Sequence, residues 1–528
     1  RILLKLMKMS HVKGPDLESS RPRFRSGTSV LQLLVEYLHN NGDATALVEG
    51  QTGKTASFAD ILQQSTTAAA GLQSAGVTAG DYVVLCCDKS ILAYSLLLGV
   101  MFTGATAVLN PTPHADIIDE LTQGHNVKAV FCSNVYMDSV KKSVSRISPP
   151  PLLASVDTED PVLKPILTSH GKFSLYRVND IYKHTAAILF SSGTTGVPKG
   201  IEITDVAVQL SGINFDYPFK SFLVASPFFW YSAIFTFVSA CYNKYPIIMN
   251  NIPEVKENLR LTAKYQIEGW FISTGSMSRY TNEPDLNQFD LSSVARVFVA
   301  GENTISSVAE DFLAKVMKGR LKLEGLYGIT EGGPITTLDY NDAGAKLGAC
   351  GRPNPGVEIK VIDDAGNIVP VGEMGEVWIK TPAATTGYWG RPDLNKRLFD
   401  HQGFFNSGDV GFVDDEGYIY LRGRAGDLIN YRGKKFSAAE LEDILQTHPA
   451  VQEAAVVSKP HPSDTHHPIA FVVRKLGADV TEEDILAFFN DKVEDYKRLR
   501  GGVRFLDVLP RTIIGKVVRK TLRDYSLQ

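Results

Sequence analysis

Short apolar runs alternate with longer segments of helical apolar spacing through about the first 300 residues of the chain. Runs of this length, bounded by turn residues, are typical of buried strands. Because helix-spaced segments separate them, the pattern predicts crossover connections and a parallel sheet. The predicted strands are residues 82–87, 106–109, 127–132, 185–190, 222–226, 245–249, 269–273 and 297–300.

The pattern changes after residue 351. Residues 351–420 become β-rich, with turns such as DDAGN and DDEGY. A compact unit of strands and two helix-like segments, residues 438–446 and 481–492, follows from Arg424. We therefore predict an α/β fold: a large α/β N-terminal domain of several subdomains with a β-rich part at 1–423, a hinge at 424–427, and a small α+β C-terminal domain at 428–528.

Residues 91–109 are the one stretch long and apolar enough to suggest a membrane span. Glycines and hydroxyl residues interrupt it, and Asn-Pro-Thr-Pro follows at once. The interpretation we favour is a buried helix that leads into a buried strand.

Composition narrows the function classes. A chain of 528 residues is too long to fold around one small core, so a large domain with a smaller partner is expected. A net charge of −4 with a pI near 6.3 argues against a nucleic-acid-binding surface. The five cysteines lack zinc-site spacing, so unpaired thiols in the cytoplasm or another reducing intracellular compartment are expected. The N-terminal residues show no signal-peptide pattern, and the final Ser-Leu-Gln does not match a peroxisomal address.

Residues 191–200, SSGTTGVPKG, follow the predicted strand 185–190 directly. Glycines let such a loop adopt unusual backbone angles, so that hydroxyl and N–H groups converge on an anion. Lys199 adds a positive charge. The hydroxyl residues precede the lysine, unlike GxxxxGK[ST], but the loop still predicts a polyphosphate site.

This loop resembles the phosphate-loop signature of the adenylate-forming superfamily, which includes acyl-CoA synthetases, ligases resembling 4-coumarate-CoA ligase, and beetle luciferases. Further motifs similar to that family follow in its order: YGITE at 327–331, SGD at 407–409, GRAGDLINYRGKKFSAAELE at 423–442, and PRTIIGK ending at Lys516. The similarity extends over most of residues 185–520.

The resemblance implies a set of site residues. ATP would be bound by the phosphate loop and by residues near the adenine and ribose, and Glu331 would bind Mg²⁺. The implied catalytic residues are Lys199, Thr330, Glu331 and Lys516. The implied nucleotide-binding residues are Ser191, Ser192, Gly193, Thr194, Thr195, Gly196, Lys199, Gly301, Tyr327, Asp409 and Arg424.

The same resemblance implies an ATP- and Mg²⁺-dependent ligase that activates a carboxylic acid and transfers it to CoA, with a small mobile domain that rotates between the two steps. Phe229, Trp230 and Tyr231 give the expected acyl or aryl pocket an aromatic character. Trp230 stands where many relatives have His, so tunnel lining and plain core packing are both open.

Three further positions depart from the family pattern. Gly426 stands at the usual Asp or Lys of the hinge, and Asn430 stands where many relatives have Lys. The string at 300–303 is altered to AGEN, which affects the expected adenine contacts. Lys434 and Lys435 lie close enough in sequence to compensate for Asn430 in the CoA step.

Two alternatives to a CoA ligase stay open. A luciferase-like monooxygenase would adenylate a luciferin and oxidise it with light emission, although the Arg and His of the beetle luciferin pocket are not evident. A nucleotide-binding protein that has lost catalysis is the other, but Lys199, Glu331, Asp409 and Lys516 are all retained. We expect no nucleic-acid partner and no integral membrane span, and the sequence leaves the oligomeric state open.

Overall fold

The structure is a computed structural model that describes residues 9–157, 159–191, 198–214, 217–301, 306–318, 322–340, 346, 348–475, 477–511 and 517–527. Its strands are β1 (His11–Lys13), β2 (Thr45–Glu49), β3 (Thr55–Ser57), β4 (Tyr82–Cys86), β5 (Thr106–Leu109), β6 (Val127–Cys132), β7 (Leu152–Ser155), β8 (Thr185–Ser191), β9 (Lys199–Thr204), β10 (Phe222–Val224), β11 (Ile247–Met249), β12 (Gly269–Ser273), β13 (Arg296–Ala300), β14 (Lys322–Ile329), β15 (Gly333–Asp339), β16 (Arg352–Pro353), β17 (Glu358–Ile362), β18 (Gly375–Lys380), β19 (Phe405–Val413), β20 (Ile419–Arg424), β21 (Leu428–Tyr431), β22 (Lys434–Ser437), β23 (Val451–His461), β24 (Thr465–Arg474) and β25 (Val503–Phe505).

The helices are α1 (Leu17–Ser20), α2 (Val30–Asn41), α3 (Phe58–Ser74), α4 (Ile91–Thr103), α5 (Ile118–Leu121), α6 (Met137–Val144), α7 (Lys164–Leu167), α8 (Asp205–Asn214), α9 (Tyr231–Asn243), α10 (Val255–Tyr265), α11 (Thr274–Thr281), α12 (Ser306–Phe312), α13 (Pro392–Asn395), α14 (Ala438–Gln446), α15 (Glu482–Asn490) and α16 (Arg519–Ser526). Short 3-10 segments lie at Thr112–Ile117, Asn134–Tyr136, Leu286–Gln288, Ala425–Asp427 and Asp495–Lys497, and a π-helical turn lies at Leu313–Met317.

Two mixed sheets form the centre of the large domain. The first has the order β7-β6-β4-β5-β8-β9 and is parallel except for β9, which pairs antiparallel with β8. The second has the order β16-β15-β14-β13-β12-β10-β11-β2-β3, with a parallel centre from β14 to β2. Loops at the carboxyl ends of such parallel strands are the usual place for a ligand site.

Alternation of side chains along each strand places the main core between these two sheets. Val83 and Leu85 of β4 face this core with Leu47 of β2, whereas Val84 of β4 and Val48 of β2 face helices on the outer sides. Because both faces of each sheet are covered, the strands are apolar on both sides.

The remaining strands form two smaller sheets. The order β1-β17-β18-β19-β20 forms an antiparallel sheet with its own apolar core. Strands β21 to β25 form the sheet of the C-terminal region, which buries apolar side chains on both of its faces. The α/β fold class with a large N-terminal domain and a separate C-terminal domain is therefore confirmed.

Several local predictions can be compared with these elements. The stretch 91–109 is α4, which is buried along its length, followed by the buried strand β5. Among the described helices, none is both long enough and apolar enough to cross a membrane. All five cysteines are free thiols. The exact boundary at 424–427 stays a prediction.

Candidate functional site

Strands β8 and β9 hold the two ends of the phosphate loop close together. Ser191, the last residue of β8, is the register partner of Lys199, the first residue of β9. The intervening predicted residues Ser192, Gly193, Thr194, Thr195 and Gly196 lie outside the described residues. The antiparallel pair therefore fixes where this loop leaves and re-enters the sheet.

Thr330 and Glu331 follow the carboxyl end of β14, in the turn that leads to β15. The main-chain carbonyl of Glu331 accepts a hydrogen bond from the Thr385 N–H at 2.8 Å. Its Oε1 accepts a second one from the Tyr388 hydroxyl at 3.0 Å. Glu331 is thus tied at both main chain and side chain to the segment 385–389.

Segment 385–389 extends the first sheet beside β9. The Trp389 N–H donates to the Gly200 carbonyl at 2.9 Å, and the Glu202 N–H donates to the Gly387 carbonyl at 3.1 Å. This pairing places the Tyr388 ring beside Lys199, whose Nζ lies 5.6 Å from the ring centroid. Segment 385–389 therefore joins the lysine of the phosphate loop to the carboxylate of Glu331.

Tyr388 was not among the residues predicted from the sequence. Burial, followed by the nearby Glu331 carboxylate, raises the pKa of its hydroxyl well above the usual value. The hydroxyl therefore keeps its proton and acts as a donor to Glu331. No local pattern could have identified it, since its role depends on pairing with a strand almost two hundred residues earlier.

Asp409 lies at a second cluster, between Tyr327 and Arg424. Its Oδ2 accepts a hydrogen bond of 2.6 Å from the Tyr327 hydroxyl, and its Oδ1 lies 3.1 Å from the Arg424 Nε. Asp409 of β19 and Arg424 of β20 are register partners, and Arg424 also donates to the Ser407 carbonyl at 2.7 Å. The structure brings these three predicted residues together; their roles toward adenine and ribose stay predictions.

Gly301 directly follows the last residue of β13. Ala300 of β13 is the register partner of Leu326 of β14, so Gly301 and Tyr327 follow on adjacent strands. Gly301 has a φ of +104° and is exposed, and a Cβ there would meet open space. A glycine suits this backbone angle, and the open side leaves room for a flat ring.

The aromatic segment Phe229, Trp230 and Tyr231 lies at the start of α9, next to the turn that carries Glu331. Phe229 is buried in the core between the sheets and Trp230 is half-buried against it. The Tyr231 hydroxyl is hydrogen-bonded to Ser211, and burial raises its pKa to about 12. A Cβ on Gly333 would lie 3.4 Å from that hydroxyl, so Tyr231 adjoins the turn that carries Glu331.

The joint between the domains is held by charge on its C-terminal side. Gly426 lies in the short turn Ala425–Asp427, and a Cβ on it would meet nothing within 4 Å. Asp427 pairs with two arginines of α16, at 3.6 Å from Arg519 and closer from Arg523. Asp427 is therefore attached to the C-terminal domain, and Gly426 carries no such restraint.

Two of the three lysines predicted to act near the joint between the domains, Lys434 and Lys435, lie among the described residues. Lys435 pairs with Asp364 of the large domain at 2.7 Å, and the Nζ of Lys434 lies 4.3 Å from the Tyr496 ring centroid. Lys516 lies outside the described residues, directly before Val517, which pairs with Arg511. Its predicted catalytic role stays a prediction.

The donor set at Glu331 fits a hard divalent cation. The second carboxylate oxygen of Glu331 and the hydroxyl of Thr330 have no hydrogen-bond partner within the described ranges, and both residues are partly exposed. Oxygen ligands of this kind suit Mg²⁺. The Tyr388 hydroxyl would orient the carboxylate from behind, as outer hydrogen bonds do in many metal sites.

Comparison with known proteins gives matches along almost the whole chain. The profile described as AMP-binding enzyme matches residues 34–389, and the profile of the AMP-binding enzyme C-terminal domain matches 440–516. The chain is 30% identical to 4-coumarate-CoA ligase 1 of Narcissus pseudonarcissus over 512 residues, covering 92% of this chain and 91% of that protein.

Two further matches agree with these. The chain is 29% identical to 4-coumarate-CoA ligase 1 of Petroselinum crispum, with 92% of each protein covered. The fold is similar to the crystal structure of ATP-bound MatB from Rhodopseudomonas palustris, with a TM-score of 0.84, 23% identity, and coverage of 94% of this chain and 99% of that one.

Proposed function

Because this chain belongs to the AMP-binding enzyme family, within the adenylate-forming superfamily, we propose that it is an ATP-dependent ligase that joins a carboxylic acid to CoA through an acyl-adenylate. The names of its curated relatives, which are 4-coumarate-CoA ligases, support the acid-CoA ligase class. ATP, Mg²⁺, CoA and a small carboxylic acid are the reactants that this proposal requires.

The observation that carries the proposal is the link between Lys199 and Glu331 through Tyr388. It puts a cation from the phosphate loop and a carboxylate for a metal at neighbouring positions. A triphosphate needs both, because catalysis of transfer at phosphorus depends on positioning and on stabilising charge. Asp409 and Arg424, which are paired with each other, supply further polar groups for the nucleotide.

The proposed first step is a displacement at the α-phosphorus of ATP. A carboxylate oxygen of the acid forms a bond to this phosphorus, and the bond from phosphorus to the bridging oxygen breaks. The electron pair of that bond leaves with pyrophosphate. Lys199 binds phosphate oxygens, and Lys516 stabilises charge at the α-phosphate. Mg²⁺ held by Glu331 and Thr330 would neutralise phosphate charge.

In the proposed second step the thiol of CoA attacks the carbonyl carbon of the adenylate. The bond between this carbon and the phosphate oxygen breaks, so AMP leaves with the electron pair, and the thiol proton passes to solvent. Rotation of the small domain about 424–427 would withdraw Lys516 between the steps. Lys434 and Lys435 lie close in sequence to Asn430 and could assist CoA in its place.

We further propose that the acid is an apolar fatty or aryl carboxylic acid. Tyr231 adjoins the turn of Glu331, and Phe229 and Trp230 precede it on the same segment. Aromatic side chains offer large apolar contact area and few groups that would pair with a charged acyl tail. Trp230 lies at the start of α9, where it is partly exposed.

The test is mass spectrometry of products after incubation with ATP, Mg²⁺ and a panel of fatty and aryl acids, with and without CoA. Acyl-CoA and AMP that form only when CoA is present are the expected result. Acyl-adenylate without thioester, accompanied by light when oxygen is admitted, would favour the monooxygenase alternative. ATP binding without turnover of any acid would contradict the ligase.

A further inference from the structure

We propose that Lys396 and Arg397, together with Lys199, form a basic cleft that binds the pyrophosphate leaving group of adenylation. The inference rests on the proposed function and extends the nucleotide site beyond the residues predicted from the sequence. Lys396 and Arg397 belong to no motif quoted above. Only the folded chain brings them to the same opening as Lys199.

The cleft is a cavity of about 580 Å³ beside the phosphate loop. Lys199 and Tyr388 lie at one side of it, and the segment around α13 provides the other side. Asn406, the second residue of β19, also lines it. A cavity of this volume has room for a hydrated phosphate group, whereas the site of the acid is expected near the aromatic segment.

The charges lining this cavity favour an anion. Lys199, Lys396 and Arg397 make no ion pair in the part of the chain that the structure describes. The single acidic residue of the lining, Asp393, is held in a two-bond pair by Arg391, with Nη2 at 2.7 Å from its Oδ2. Among the described residues these three cations therefore line the opening without an ion-pair partner, which gives the positive field expected of a polyanion site.

The position of the cleft suits a leaving group. In a displacement at phosphorus the entering and departing oxygens lie roughly in line, on opposite sides of the phosphorus. Lys199 lies near the end of the phosphate loop, as the first residue of β9, and Lys396 and Arg397 line the same cavity. As the bond to the bridging oxygen breaks, its electron pair adds negative charge to the pyrophosphate, which these cations stabilise.

CoA carries phosphates of the same chemistry, so the source of the bound phosphate has to be distinguished. We assign the cleft to pyrophosphate because one of its walls is the lysine of the phosphate loop itself. A CoA phosphate would instead require the thiol to reach the adenylate from this side. The experiment therefore includes CoA as a separate ligand.

The decisive variant is the double substitution K396A/R397A in the full chain. Its affinity for Mg²⁺-pyrophosphate, measured by calorimetry at low salt, should fall by about tenfold relative to the unchanged protein, because two unpaired cations are removed. The loss should shrink in concentrated salt, where exposed charges are screened. The Michaelis constant for pyrophosphate in ATP–pyrophosphate exchange should rise by a similar factor.

The matched control is K172A/K475A, which removes two exposed lysines that lie outside this cavity. It should leave pyrophosphate affinity unchanged. The variant K396R/R397K keeps both charges and should restore most of the affinity. Melting curves of all variants show whether the fold is retained.

Three results would overturn the inference. They are no measurable pyrophosphate binding by the unchanged protein, equal pyrophosphate affinity in K396A/R397A and the control, or a loss confined to CoA affinity. Failure of the proposed function would look different: no acid would promote release of pyrophosphate from ATP, whatever the direct binding measurement gave.

Discussion

At the scale of single residues, the hydrogen bond from Tyr388 to Glu331 connects the two halves of the candidate site. The phenol stays protonated because burial raises its pKa, and it donates to a carboxylate that has one oxygen left for a metal. A donor in this position fixes the rotamer of Glu331 before any metal arrives. The Thr385 N–H fixes the main chain of the same residue.

Replacing Tyr388 by Phe removes this donor and leaves the ring. We expect the apparent affinity for Mg²⁺ in adenylation to fall by about tenfold, as for other outer-shell partners of metal ligands. A titration of pyrophosphate release against Mg²⁺ measures this. Tyr420→Phe is the matched control, since it removes a hydroxyl bonded to Asp414. A shift of equal size in both variants would refute the positioning role.

Lys516 is the residue for which resemblance alone makes a prediction. Lys516→Ala should slow adenylation by about a hundredfold or more, since one ammonium at developing charge in a dry site is worth about 3 kcal/mol. Pyrophosphate release measures the first step. Thioester formation from supplied acyl-adenylate and CoA should change far less. An unchanged rate of pyrophosphate release would rule out this role.

At the scale of elements, two contacts restrain the surroundings of the site. Segment 385–389 joins the first sheet at β9, and Asp427 joins the end of β20 to α16. The contact of Asp427 with α16 restrains the C-terminal end of the proposed hinge 424–427. Because Asp427 is paired within the C-terminal domain and Arg424 is tied to Asp409 and Ser407 of β19, rotation would be absorbed at residues 425 and 426.

The variant Asp427→Asn should loosen α16. Asp427 and Arg519 are less than a quarter exposed in their side chains, so the pairs are partly shielded from water. We expect the free energy of local opening at residues 519–526 to fall by about 1 kcal/mol. Hydrogen exchange of these amides measures it. Asp524→Asn, an exposed substitution in the same helix, should leave exchange unchanged; identical protection in all three proteins would contradict the prediction.

At the scale of the whole molecule, the two central sheets leave a second cavity where strands from both end. It has a volume of about 330 Å³ and is lined by Glu49 at the end of β2, Asp88 and Lys89 after β4, and Met249 at the end of β11. Lys89 is only 4% exposed. Burial lowers its pKa to about 8, although the nearby Asp88 acts in the opposite direction.

A lowered pKa of a lysine is a stability cost at neutral pH. The unfolded chain holds the proton up to about pH 10.5, so the charged form opposes folding below pH 8, and the cost declines as pH rises from 8 to 10.5. Lys89→Met should therefore stabilise the protein by about 2–3 kcal/mol at pH 7 and by much less near pH 10.

Melting temperatures of this variant from pH 7 to pH 10 provide the measurement. Lys172→Met, at an exposed position, serves as the control and should show no such trend. A gain for Lys89→Met that stayed constant across this range would mean that desolvation of the charge is not its cause.

Much of the fold follows from local pattern. The strands 106–109, 127–132 and 269–273 and the helix 438–446 begin and end where the sequence predicts. Others differ at the ends: β10 stops at Val224 and β11 begins at Ile247, because pairing with neighbours and not apolar content decides where a strand ends. The α/β class and the C-terminal domain were predictable because alternation and turn residues are local.

The sequence by itself determined the family, since its motifs occur in order over most of the chain, and it named Lys199, Glu331, Asp409 and Arg424. Only the tertiary structure identified the residues that connect these predicted side chains or share a cavity with them. Tyr388 reaches Glu331, and Lys396 and Arg397 reach the cavity of Lys199, through pairing of segment 385–389 with β9. Main-chain pairing between segments so distant leaves no signature in side-chain spacing, because every residue offers the same N–H and carbonyl groups.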